Sequence, residues 1–206
     1  MAHYLTIGVI LGLSAGLSPG PLLTLVISET LRHDITAGIK VAIAPVVSDL
    51  PIILLTFFLL SRLTNVHGVL GVLSLAGGLF ILYLGFEGIR TTGMELPLPE
   101  VKTKSLTKGV LTNVLSPYPY LFWLSVGAPL IVKAFDQGIN AVLAFILGFY
   151  VCLVGSKILL AILVGRSRSL LHSKGYIYTM RFLGIVLCVL AFVLFRDGIK
   201  FLQQAG

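Results

Sequence analysis

Apolar runs near Tyr4 to Ile27, Ile39 to Leu60, Val69 to Ile89, Val110 to Val132, Ile139 to Val164 and Ile177 to Phe201 dominate the chain. Each reaches the roughly 20 residues that a helix needs to cross about 30 Å of hydrocarbon. Of the 206 residues, 57% are hydrophobic and 11% charged, and the mean hydropathy is +1.03. A soluble domain is about half apolar and a quarter charged, so the sequence predicts an all-α membrane protein of six transmembrane helices, residues 1–206 forming one transmembrane domain. No basic n-region or cleavage site precedes the first run, which is expected to be retained. Cys152 and Cys188 lie in separate runs without a Cys-x-x-Cys, and His3, His33, His67 and His172 share no spacing, so no metal or cofactor is expected.

The net charge of +7 falls in loops. Arg32, Lys40, Arg90, Lys102, Lys104, Lys108, Arg166, Arg168, Lys174 and Arg181 collect on one side of the predicted bundle, and Arg62, Lys133, Arg196 and Lys200 on the other. By the positive-inside rule the richer side is cytoplasmic and both termini lie outside the cytoplasm, in a multi-pass protein of the cell (inner) membrane. Orientation in the bilayer thus accounts for the basic residues, and no nucleic-acid partner is expected. The hydrophilic stretch Thr91 to Lys108 reads as a cytoplasmic linker.

The first run is interrupted by Leu17-Ser18-Pro19-Gly20-Pro21. Proline lacks an N–H and clashes with the carbonyl four residues back, so Pro19 and Pro21 free the carbonyls of Ala15 and Leu17. In a bilayer such groups survive only where protein or a polar cavity surrounds them, and broken helices of this kind mark transporter binding sites. A plain proline kink is the alternative reading. The same pattern returns as Leu115-Ser116-Pro117-Tyr118-Pro119, which frees the carbonyls of Asn113 and Leu115. Gly88-Ile89-Arg90 is echoed by Gly198-Ile199-Lys200, and Val47-Ser48-Asp49-Leu50 can be laid on Gly155-Ser156-Lys157-Ile158. Three echoes in one order predict two repeats, about 1–90 and 109–206, joined by the linker at about 91–108. With three spans in each, the second copy must be inverted.

Asp49 lies about 16 Å into its span, near mid-membrane. A carboxylate there must face protein or water and is a functional candidate. A buried ion pair with Lys157 is the structural alternative, and the two are compatible. Freed carbonyls attract cations and half-helix N-termini attract anions, so paired breaks suit a zwitterion. The candidate substrate-binding residues are Ser18, Pro19, Gly20, Pro21, Asp49, Asn113, Ser116, Pro117, Tyr118, Pro119 and Lys157. Tyr118, Tyr120 and Trp123 either line the cavity or anchor a membrane interface. Glu29 is expected to be solvated, and Glu87 and Asp197 to sit among headgroups beside Arg90 and Lys200. Gly8, Gly12, Gly16 and Gly20 form a stripe for close packing against the fourth span or a second subunit, which leaves a homodimer open.

Ser18 to Pro21, Ala37-Gly38 through Ser48-Asp49, Leu82-Tyr83-Leu84-Gly85, and Gly109 through Asn113 to Pro117 resemble the motifs of the LysE/RhtB superfamily of small amino-acid exporters. The resemblance covers nearly the whole chain. It implies six spans and export of an amino acid or similar small compound by proton antiport. Leu22 stands where family members commonly have Asn, Ala44 and Ser48 where they have Gly, and Ser116-Pro117-Tyr118 where they have Asn-Pro-Lys. These departures leave room for a branch exporting something other than basic amino acids. An intramembrane enzyme, such as a thiol oxidoreductase, would need a cysteine pair or clustered ligands, so no enzyme is expected. A channel, or an accessory subunit of a larger membrane complex, is the remaining alternative.

Overall fold

A computed structural model describes residues 2–62, 66–90, 104–167 and 173–204. Among them every regular element is helical. The first apolar run forms α1 (Ala2–Leu17) and α2 (Pro21–Arg32), which meet at a bend of 62°. There follow α3 (Ile35–Arg62), α4 (Val66–Ile89), α5 (Ser105–Val114), α6 (Pro117–Phe122), a π-helical segment Trp123–Gly127, α7 (Ala128–Phe135), α8 (Ile139–Ser167) and α9 (Ser173–Gln203). Five spans are long and apolar enough to cross a membrane, and the bent α1–α2 pair makes a sixth.

These elements follow from local chemistry. Pro21 and Pro117 each open a helix at the first turn, where a missing N–H costs nothing. Asp34 accepts the Ala37 amide at 2.6 Å and caps the start of α3. Of the expected linker, residues 91–103 lie outside the described residues. Ser105 to Lys108 belong instead to the first turns of α5, so the second repeat begins earlier than its apolar run suggests.

The bundle is apolar on its outside. Ile10, Leu50, Val151 and Phe192 are each at least 60% exposed, as suits side chains that meet lipid. Inside, α1 lies along α8 and α4 along α9, while α3 packs on α2 and α5. The glycine stripe explains the first of these seams. A Cβ on Gly8 or Gly12 would strike the carbonyl of Phe145 or Phe149, and one on Gly16 would meet Ser156. The stripe therefore seats α1 on α8, the fifth span, rather than on the fourth span or a second subunit. Gly20 is not part of it and has open space where a Cβ would stand.

Candidate functional site

A cavity of about 310 Å³ lies where the two breaks converge. Its lining brings together Ser18, Pro19, Gly20, Pro21, Asp49, Asn113, Ser116, Tyr118, Pro119 and Lys157. Of the residues expected at the site, Pro117 alone is not in the lining. It is buried in the first turn of α6.

The first break is open. Ser18 to Gly20 leave the helix, Gly20 is extended, and no side chain caps the start of α2. Thr24 returns its amide to the Gly20 carbonyl at 3.0 Å, but the amides of Leu22 and Leu23 precede the first complete turn and have no helical partner. On the other side of the break the carbonyls are taken by Lys157, reaching across from α8. Its Nζ donates to Gly16 at 3.0 Å and Ala15 at 3.3 Å. The ammonium thus meets Ala15, one of the two carbonyls expected to be freed, and Gly16 rather than Leu17, at the negative end of the α1 dipole.

The second break is closed by its own residues. The Ser116 hydroxyl accepts the Tyr118 amide at 3.4 Å, the Ser116 amide returns to the Asn113 carbonyl at 3.3 Å, and the Tyr120 hydroxyl donates to the Val114 carbonyl at 3.0 Å. Asn113 is fixed as well. Its Nδ2 donates to Asp49 Oδ1 at 2.7 Å and to Ser48 Oγ at 2.8 Å. Gly109, one turn earlier, permits this, because a Cβ there would press on Val41 and Ala44 of α3.

Asp49 is 4% exposed and Lys157 3%. They line one cavity without forming an ion pair: Lys157 is turned to the α1 carbonyls, while the second carboxylate oxygen of Asp49 accepts from the Tyr150 hydroxyl at 3.1 Å. Tyr150 carried no signal in the sequence. Its side chain reaches Asp49 only because α8 presents this face to α3, an orientation that the uniformly apolar span does not encode. Trp123 settles as cavity wall rather than interface anchor. It is 1% exposed and stands edge-on to Phe149, whose ring also stacks on Phe122. The π-helical segment accommodates it, since the indole lies where a Cβ of Gly127 would be. Tyr120 is buried but absent from the lining, and Pro45, unremarked in the sequence, is part of it.

A second polar cluster joins α2, α4 and α5. Glu29 is 2% exposed rather than solvated. It accepts hydrogen bonds from Ser105 Oγ and, at 2.9 Å, from Lys108 Nζ. Lys108 also lies 3.5 Å from Glu87, and Glu87 pairs with Arg32 at 2.5 Å. Glu87 thus pairs with residues of α2 and α5, Arg32 and Lys108. Asp197 accepts from the Tyr118 hydroxyl at 3.3 Å in an exposed contact. Loop-side charges look equivalent in a sequence, and only the packing of three helix ends sorts them.

The LysE type translocator family matches residues 13–198. The chain is also 23% identical over 198 residues to "Putative amino acid efflux protein YcgF" of Bacillus subtilis (strain 168), an alignment covering 93% of this chain and 95% of that protein. No solved structure matches the chain. The family match takes in both breaks, Asp49 and Lys157. This chain belongs to the LysE type translocator family.

Proposed function

We propose that the protein is a secondary transporter exporting a small amino acid, or a related small amino compound, by proton antiport across the cell inner membrane. The observation that carries this reading is the convergence of two helix breaks, one carboxylate and one ammonium on a single cavity of about 310 Å³. That volume is at the small end of ligand sites. The efflux role named for the Bacillus relative supports the amino-acid class and the direction.

Asp49 supplies the coupling. A proton and a substrate ammonium compete for the same carboxylate, so each is released as the other arrives, which is the chemical requirement for exchange. The architecture is two inverted three-helix repeats. In support, exchanging the repeats carries the α1–α8 seam onto the α3–α5 seam and the α4–α9 seam onto itself. With both termini outside the cytoplasm, the Glu29–Lys108–Glu87–Arg32 cluster lies on the cytoplasmic side and holds α2 against α4 and α5.

Counterflow in proteoliposomes tests the reading, with labelled amino acids and small cations supplied with and without a pH gradient. Wild type is expected to exchange at least one compound saturably and faster with the gradient. Asp49→Asn is expected to lose the pH-driven component and to need more substrate for the exchange that remains. If folded, correctly inserted protein moves no compound, the transporter reading fails.

A further inference from the structure

The lining of the cavity restricts the substrate further than its volume does. Among the described lining residues, Asp49 is the sole acid and Lys157 the sole base, and Lys157 is already committed to the carbonyls of Ala15 and Gly16. A substrate ammonium has one carboxylate to meet. A second cationic group, on a lysine-like side chain, has none: Asp197 is outside the lining, engaged by Tyr118 and Arg196. Burying an unpaired charge in such surroundings is strongly unfavourable.

Groups for a carboxylate are present. The first turn of α2, a twelve-residue helix, brings Leu22 and Leu23 to the cavity with their amides uncapped, and Gly20 leaves open space beside them. A helix start of this kind favours an anion. An independent observation points the same way. Thr112 lines the same cavity, is 2% exposed, and has a buried hydroxyl with no hydrogen-bond partner among the described residues. An orphaned buried hydroxyl is costly unless something satisfies it. The remaining wall is apolar, formed by Pro45, Phe122, Trp123, Phe149, Leu153 and Leu190.

We infer that the substrate is a neutral α-amino acid with an apolar side chain. Its ammonium lies on Asp49, its carboxylate on the α2 amides near Thr112, and its side chain on the Phe122–Trp123–Phe149 wall. This rests on the exporter reading above and narrows it. The aromatic wall is the specificity determinant against charged side chains, and the two poles, the Asp49 carboxylate and the amide and hydroxyl donors, disfavour compounds that carry one charge only.

The test is competition against labelled leucine in counterflow by the full-length protein in liposomes. The competitors are leucine, lysine, glutamate, isoamylamine and 4-methylpentanoate, the last two being leucine-like molecules that lack the carboxylate and the amine respectively. Leucine is expected to exchange, and each of the other four to compete at least tenfold more weakly. Thr112→Val, which keeps the shape and removes the hydroxyl, is expected to raise the KM for leucine several-fold while leaving the weak competition by isoamylamine unchanged. Exchange of lysine in preference to leucine overturns this inference and leaves the exporter reading standing. Equal competition by isoamylamine and leucine, or an unchanged leucine KM in Thr112→Val, removes the carboxylate pole and overturns the inference too. If no amino acid of any class exchanges, both readings fall.

Discussion

The two breaks share the pattern Ser-Pro-x-Pro, yet the structure treats them oppositely. At the second, Ser116 caps α6, Asn113 is locked to Ser48 and Asp49, and Tyr120 covers a freed carbonyl from within the same segment. At the first, Ser18 is exposed and makes no hydrogen bond among the described residues, Gly20 offers no side chain, and the Ala15 and Gly16 carbonyls depend on Lys157 from α8. One break is capped mainly from within its own segment; the other draws on a distant lysine and presents free amides to the cavity. The lesson is that proline spacing determines where a membrane helix breaks, while the residues around it determine whether the break is sealed or left to bind something.

The largest effect is expected from removing the remote support of the first break. Lys157→Met leaves the Ala15 and Gly16 carbonyls without a donor in apolar surroundings, a loss of about 1–3 kcal/mol for each group left bare. Exchange in proteoliposomes should fall by more than about tenfold, and the melting temperature in detergent should fall with it. A Lys157→Met protein with wild-type melting and transport would break the comparison, because the first break would then need no partner.

A smaller and more selective effect is expected at the two serines. Ser116→Ala removes an N-cap, which costs about 1 kcal/mol, and should lower thermal stability measurably. Ser18→Ala removes no hydrogen bond and should leave stability within about 0.5 kcal/mol of wild type, as surface changes do. Thermal denaturation of the two variants side by side checks this. Equal losses would mean that the matching sequences make matching caps after all.

Much of this was legible in the sequence because membrane chemistry makes rare residues informative. Prolines inside an apolar run marked both breaks, and a carboxylate at mid-span marked Asp49. The six spans followed from length and hydropathy, and α3, α8 and α9 extend only a few residues beyond their apolar runs. What the sequence could not supply was the rotation and pairing of uniformly apolar helices. Tyr150 reaches Asp49 and Trp123 reaches the cavity because of which face α8 and the π-helical segment turn inward, and no periodicity in those runs encodes that choice. For the same reason the glycine stripe announced close packing but not its partner, and Asp49 and Lys157 could be expected to pair when in fact each has taken other partners. Glu29 and Lys108 resembled ordinary loop-side charges until three helix ends brought them together.

The inequality of the two breaks is the centre of this account, and amide hydrogen exchange of the wild-type protein in lipid nanodiscs tests it most directly. The account predicts that peptides covering Ser18 to Leu23 exchange quickly, since Leu22 and Leu23 lack helical partners, while those covering Asn113 to Tyr120 stay protected by their caps and by the Asn113–Asp49 contact. Equal protection at the two breaks, or faster exchange at the second, would contradict it.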